Sequence, residues 1–401
     1  MPRPALSVSV TTALAAVPAE QWDACANPLT SDAAARGERH NPFISHAFLN
    51  ALEISGSVGG RSGWAPRHVL VHDAQGRLVA AAPAYAKSHS QGEYVFDHGW
   101  AQAFEQAGGR YYPKLQIAVP FTPVTGRRLL VASDAPAGAQ EALIDGLRRL
   151  RREIGASSIH VTFPDAVDCA ALESAGFLQR RGEQFHFDNP GYADFEAFLA
   201  ALSSRKRKAI RRERKEALGG DIQVEQLSGA ALSPAHWDAF FAFYMDTGAR
   251  KWGKPYLTRA FFDLVGALLP ERVLLVLAKR EGRYIAGAIN FIGDDALYGR
   301  NWGAVEERPF LHFELCYYQA IDYAIKHGLR RVEAGAQGEH KLARGYAPVA
   351  TFSAHEFAND GLKRAVAEYL QRERAAVDEA IAMYDAHTPF KKGAPVAEEE
   401  I

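Results

Sequence analysis

The sequence predicts a mixed α/β fold, helices on a mixed sheet, made of two tandem copies of one module. Three observations carry that prediction: the two halves repeat the same order of hairpins and helices, the composition is globular, and the length suits two domains. At 401 residues the chain is two to three times the usual domain size. Hydrophobic residues at 48% and charged residues at 23% match an ordinary folded protein and exclude a disordered or fibrous one. A net charge of −1 leaves no global field for nucleic acid or membrane, so any polyanion site has to be local. The three cysteines, Cys25, Cys169 and Cys316, are too widely spaced for a disulfide framework or zinc cluster, and argue for a reducing, cytoplasmic compartment.

The elements follow in order. ALSVSVTTALAAV (5–17) is interrupted by two Ser and two Thr and reads as a strand rather than an export signal. PAEQWDACA (18–26) reads as a helix opened by Pro18, with Trp22 and Cys25 at i, i+3 spacing. No run of about 18 apolar residues occurs, so no membrane span is expected. A hairpin over Arg67–Tyr85, joined at Gln75-Gly76, matches one over Arg272–Phe291, joined at Glu281-Gly282. Each leads to an expected strand ending in tryptophan, EYVFDHGW (93–100) and ALYGRNWG (296–303). Helices at 141–155 and 314–328 follow, each with apolar residues at three-four spacing and a closing glycine. Then come strands at 157–164 and 330–336, and last strands within 175–187 and 343–357.

The copies differ in length. The first carries extra sequence at 101–131, and the second begins after a helical stretch at 194–218. The turn-forming run Asp188-Asn189-Pro190-Gly191 predicts a boundary there. The expected domains are therefore 1–190 and 191–390, with a polar, mobile tail at 391–401.

This order of elements resembles the GNAT-type acyltransferases. A tandem copy with a basic helix heading the second half resembles the Fem-type peptidyltransferases. The strings NPFISHAFLNALEISGSV (41–58), YYPKLQIAVPFTPVTGRRLL (111–130), FYMDTGARKWGKPYLTRAFFDLV (243–265) and EAGAQGEHKLARGYAP (333–348) are similar to the bacterial Fem-like family of peptidoglycan biosynthesis or recognition proteins. The resemblance implies acyl or aminoacyl transfer to an amine. It also implies that two central strands splay to bind the donor, Ala296–Gly303 with Arg330–Ala336, their counterparts being Glu93–Trp100 and Ser157–Pro164. Acyl-CoA enzymes of this type carry a glycine-rich pyrophosphate loop at a helix N-terminus. EERPFLHFEL (306–315) has Pro309 and bulky side chains there. Aminoacyl-tRNA and acyl-CoA are thus the candidate co-substrates, with the latter disfavoured and no permanently bound cofactor implied.

Acyl transfer to an amine needs a base, donors for the developing oxyanion and an acid for the leaving group. EAGAQGEHKLARGY (333–346) concentrates such groups at the end of a predicted strand. Glu333 or Glu339 is a candidate base and Tyr346 a candidate acid, with His340 and Arg344 beside them for substrate. Lys341 stands where the resemblance implies an oxyanion-stabilising lysine. Tyr298, Arg300, Asn301 and Trp302 are candidate donor contacts. Tyr94, Asp97, Trp100, Tyr112 and Lys114 are candidate contacts for a small-molecule or precursor acceptor in the first half. His160, matching Glu333, reads as a satisfied core histidine. SSRKRKAIRRERKEALGG (203–220) holds eight basic residues against two acidic ones. At about 100° per residue, Arg207, Lys208, Arg211, Arg212, Arg214 and Lys215 gather on one side, a candidate phosphate contact for tRNA or a nucleotide diphosphate. DNA is not indicated, and no HxH or HExxH spacing suggests a metal. The competing readings are a scaffold that binds a cell-wall precursor or RNA without catalysis, and an ordinary acyl-CoA N-acetyltransferase.

Overall fold

The computed structural model describes residues 6–28, 39–251, 255–335, 338–386 and 388–391; the expected mobile tail lies outside the described residues except for Lys391. Two compact units emerge: Met1–Gly182 with Ala350–Asp378, and Glu183–Val349 with Glu379–Ile401. The first unit thus takes Ala350–Asp378 from the second half of the sequence, and the second begins at Glu183.

The first unit contains β1 (Ser7–Thr11), β2 (Trp64–Pro66), β3 (His68–His72), β4 (Leu78–Ala82), β5 (Ala84–Lys87), β6 (Lys114–Ile117), β7 (Leu130–Val131) and β8 (Ser158–Thr162). A small antiparallel sheet runs β1-β3-β4-β7. The β3–β4 hairpin turns at Gly76, whose φ of +78° suits glycine, and the Asp73 carboxylate accepts from the Gln75 and Arg77 amides. Pro83 separates β4 from β5. In the main sheet β5 pairs antiparallel with β6, β6 runs parallel to β8, and β8 pairs antiparallel with residues Ser353–Phe357. The helix Ala139–Glu153 buries Leu143, Leu147 and Leu150 against Val69, Ile117, Ile159 and Val161.

Glu93–Trp100 is not a strand, contrary to the sequence expectation. Gly92 at φ +80° and Tyr94 at φ +60° break the extended chain, and a helix occupies His98–Gln106. Glu93 and Asp97 instead turn inward to hold Lys114. The strand paired like Ala296–Gly303 is β6, inside the segment 101–131 that reads as extra sequence. The helix Asp360–Ala386 also has no counterpart in the sequence reading; Leu362, Val366 and Leu370 bury its first turns against Trp100, Tyr111 and Phe357.

The second unit takes the end of β9 (Leu178–Asp188), then β10 (Ile222–Leu227), β11 (Val273–Arg280), β12 (Arg283–Ile292), β13 (Ala296–Ala304), β14 (Arg331–Glu333) and the start of β15 (Ala347–Phe357). Its sheet order is β10-β11-β12-β13-β14-β9. Glu281 and Gly282 both have positive φ, as a two-residue hairpin between β11 and β12 requires. The β13–β14 pairing is parallel and β14–β9 antiparallel. Each unit's sheet thus ends on a strand from the other half of the sequence: β9 pairs with β14, and β15 pairs with β8.

The helices Phe195–Ala201, Ser204–Leu218 and Gln319–Lys326 cover one core, built on Phe198, Ile210, Leu297, Tyr318 and Ile321. The helix Pro234–Lys251 packs on β12 and β13. A Cβ on Gly303 would stand 2.1 Å from the Phe243 carbonyl oxygen. Gly303→Ala is therefore expected to cost about 1–3 kcal/mol, read as a lower denaturation midpoint, because backbone must move. Gly287→Ala, whose methyl first meets the end of the Leu277 side chain, is expected to lose less.

Candidate functional site

The site is built where two parallel strands part. β13 and β14 share three residue pairs, the last being Tyr298 with Glu333. β13 then continues to Ala304, whereas β14 ends. A register shift sets Asn290 opposite Gly299 and Ile289 opposite Asn301, so Arg300 lies in a bulge beside the opening. A Cβ on Gly299 would lie 3.5 Å from the Glu333 carbonyl oxygen and 3.3 Å from Asn290 Oδ1. Asn290 is buried, and neither polar atom of its carboxamide has a partner among the described residues. The sequence reading missed this residue; its signal is a lone amide within the apolar run of β12.

Glu333 is 3% exposed, and its Oε2 accepts no hydrogen bond. Burial pushes its carboxyl up to about 7, against the opposing pull of Arg331, whose Nε lies 3.2 Å from Oε1, and of Arg300. Opposite it on β9, His186 is buried and driven down to about 3, chiefly by desolvation, so its ring is neutral near pH 7. His186 Nε2 lies 3.8 Å from Glu333 Oε2. Tyr298 is buried beside this pair and its phenol is raised by desolvation and by Glu333.

After the opening, a tight 3₁₀ turn over Glu339–Arg344 returns the chain. Lys341 is 1% exposed; its Nζ donates to the Gly335 carbonyl at 2.7 Å and has no carboxylate partner among the described residues. Burial lowers its ammonium to about 8. His340 shares a 2.9 Å hydrogen bond with the Tyr317 hydroxyl and lies in an aromatic group with Phe313 and His312. His312 in turn meets Trp302 edge-on at 5.2 Å. Ala336, Gln337 and the Glu339 side chain lie outside the described residues.

Other candidates have structural partners. Arg344 donates to both Glu213 oxygens, at 3.1 and 3.0 Å, and to the His340 carbonyl, and stacks 3.4 Å over Phe313. Tyr346 is fully buried between Phe187 and Tyr317, and its hydroxyl has no hydrogen-bond partner. Arg300, Asn301 and Trp302 are half-buried along the free stretch of β13. A groove of about 570 Å³ continues from Trp302 and His312 past Thr247, Arg250 and Pro309. Its arginines are engaged by acids: Arg250 by Asp246 at 2.5 Å, and Arg308 by Asp221.

The basic helix Ser204–Leu218 is fixed by its inward face. Ile210 and Ala217 are buried, Glu213 accepts from Arg344 and Tyr318, and Arg214 makes a two-pronged pair with fully buried Glu314 at 3.0 and 2.9 Å. Arg211 pairs with Glu196. Arg207, Lys208, Arg212 and Lys215 have no acidic partner among the described residues, and the last three are exposed.

In the first unit, the acceptor candidates meet inside a closed network. Lys114 Nζ binds Ser90 at 2.8 Å, Glu93 at 2.7 Å and Asp97 at 2.5 Å, and the Tyr111 hydroxyl donates to Asp97. Burial would raise Asp97, but Lys114 more than offsets this and holds it well below the usual carboxylate range. Trp100 packs against His160 and His355, whose Nδ1 atoms are 2.7 Å apart. Tyr112 bonds Ser90, and Tyr94 is half-buried. The His160–His355 pair occupies the strand register that Glu333 and His186 occupy in the second unit.

Glu333 makes stability depend on pH in a defined direction. Its pKa rises from about 4.5 to about 7 on folding, so the native state holds the extra proton between those values. The stabilisation is complete below about pH 4.5 and is lost as pH rises through 7. Relative to Glu333→Gln, the wild type is expected to lose up to about 3 kcal/mol between pH 5 and 8, measured by urea unfolding of both proteins at each pH.

Residues 13–392 match the FemAB-like family, described as peptidoglycan biosynthesis/recognition. Among solved structures, FemX aligns with a TM-score of 0.50 at 14% identity, over 80% of this chain and 93% of that one. The C-terminal DUF2156 domain of a protein from Agrobacterium fabrum aligns at 0.52 and 9% identity, over 88% and 96%. A tandem GNAT protein from the clavulanic acid biosynthesis pathway aligns at 0.44 and 12%, over 88% and 99%. No curated protein matches the chain significantly. Among the described residues, no helix is long and apolar enough to cross a membrane. The family match runs almost from end to end, and the chain belongs to the FemAB-like family of peptidoglycan biosynthesis/recognition proteins.

Proposed function

We propose that the second unit transfers an acyl or aminoacyl group to an amine in the opening between β13 and β14. One observation carries this reading: a buried lysine with no carboxylate partner, Lys341, stands at the mouth of a strand gap whose floor holds a buried carboxyl titrating near neutrality, Glu333. A buried ammonium costs free energy unless compensated. Negative charge developing on a carbonyl oxygen would supply that compensation in the transition state.

The chemistry balances with these two groups. Ionised Glu333 takes one proton from the neutral acceptor amine. The nitrogen attacks the donor carbonyl carbon, the C–N bond forms, and Lys341 turns from the Gly335 carbonyl toward the oxyanion. The carbon–oxygen bond of an aminoacyl ester, or the carbon–sulfur bond of a thioester, then breaks, and Glu333 returns the proton to the leaving alcohol or thiol. Asn290 offers an unpartnered donor and acceptor to the polar backbone of the donor. The acid-paired Arg250 and Arg308 favour an aminoacyl-tRNA donor over a CoA diphosphate, and Arg207, Lys208, Arg212 and Lys215 would meet the tRNA backbone.

Lys341→Met is expected to lower single-turnover transfer by about 10²–10³-fold while the melting temperature holds or rises, since a buried, unpaired charge is removed. Unchanged transfer would overturn the assignment, and retained precursor binding without transfer in the wild type would favour a recognition protein. Arg212→Glu with Lys215→Glu is expected to weaken tRNA binding and flatten its salt dependence by about two ions. An unaltered salt slope would remove the helix from the donor site.

A further inference from the structure

We propose that the first unit carries a separate binding site for the diphosphate of a small molecule, in a cleft formed by three arginines. The cleft holds about 390 Å³ and is lined by Phe104, Arg110, Arg151, Arg152, Ser157 and Asn359, among others, with no Asp or Glu in its wall. That volume lies in the range of small-molecule sites.

The arginines here are set apart from their neighbours on the same helix. Within Ala139–Glu153, Arg148 binds Glu356 at 2.8 Å and the Ala175 carbonyl. Arg149 lies 3.3 Å from Glu153 and donates to the Val8 carbonyl. Arg151 and Arg152, the next two, have no acidic or carbonyl partner among the described residues, and neither does Arg110. Arg151 Nε is buried without an acceptor. A common use for arginines in a last helical turn is to neutralise the terminal carbonyls. Here those carbonyls are already taken: the amides of Ile154, Gly155 and Ala156 donate to Leu150, Arg152 and Arg151 respectively.

Arg151 is half-buried and Arg110 and Arg152 are exposed, so three guanidinium groups line one pit with no acid in its wall, open to an anion. Each presents a planar fork that matches two phosphate oxygens, so the set suits a diphosphate better than a single small anion. The helix Asp360–Ala386 begins beside Asn359 and adds the positive end of a 27-residue dipole. Phe104, packed over Gly109, gives one wall an aromatic flank for the organic part of the ligand. The cations converge on a concavity rather than running in a stripe, which favours a small molecule over a nucleic acid.

The position separates this cleft from the first module's strand ends that would match the transfer site. Ser157 immediately precedes β8, so the cleft lies at the N-terminal end of the parallel β6–β8 pair. Sites in open α/β sheets favour the opposite, C-terminal end. The proposal does not depend on the transferase reading.

Calorimetric titration of the full chain with inorganic pyrophosphate, with uridine diphosphate and with citrate, all at 150 mM NaCl as a chosen ionic strength of about that value, tests it. The expected result is saturable 1:1 binding of both diphosphates, weakened at least about tenfold by Arg151→Met with Arg152→Met and unaffected by Arg149→Met. Arg110→Met alone serves if the double variant fails to fold, as judged by its melting curve, and is expected to weaken binding too. Absence of saturable binding, equal affinity for citrate, or binding lost instead in Arg212→Glu with Lys215→Glu would overturn the proposal.

Discussion

Parallel strands β13 and β14 hold one another for three residue pairs and then separate, while β12 keeps the other edge of β13 in register as far as Ala304. A strand edge inside a protein is costly if its amides and carbonyls find no partner, which is why the proposed function seats the donor's extended polar chain there. The surrounding groups follow from that demand. Gly299 keeps the two backbones close at the branch point, Asn290 leaves its carboxamide unspent, and the 3₁₀ turn returns Lys341 to the gap.

The same strand positions have been given opposite electrostatics in the two units. In the second, a carboxyl faces a neutral imidazole and remains poised near neutrality, while the neighbouring lysine has only a carbonyl to bind. In the first, two histidines face each other and are kept neutral by burial, and the lysine nearby is enclosed by Ser90, Glu93 and Asp97. A lysine already satisfied by two carboxylates has little left to offer a developing oxyanion. One module therefore spends its buried charges on its own interior and the other leaves one uncompensated.

Much of the fold is legible from local pattern. The hairpins at Gly76 and Gly282, the helices at 139–153 and 204–218, and the strands at 158–162 and 331–333 follow from turn residues and periodicity that their tertiary setting leaves intact. Glu93–Trp100 misleads because its place in the repeat matches Ala296–Gly303, whereas two of its carboxylates reach one buried lysine, a long-range demand that no window of sequence displays. In the site, Glu333 stands out by its place at the end of a predicted strand beside a glycine-rich turn, and Lys341 by the family resemblance. Asn290 shows in the sequence as a lone amide in an apolar run, but its importance rests on the bulge opposite it, which local pattern does not display. Arg344 and Tyr346 carry chemically capable side chains that the structure uses for packing and anchoring, a distinction set by Glu213, Phe313 and Phe187 rather than by their own neighbours in sequence.

The exchange of closing strands also orders events during synthesis. β14 pairs with residues already made, at Arg331 with Asp188, whereas β8 waits for β15; His160 and His355 are 195 residues apart. At ribosomal elongation rates that delay lasts roughly 10–40 s, during which β8 presents a raw hydrophobic edge. The amino-terminal unit, first to leave the ribosome, thus stays open until β15 emerges, and a nascent chain halted before β15 would be a natural client for a chaperone.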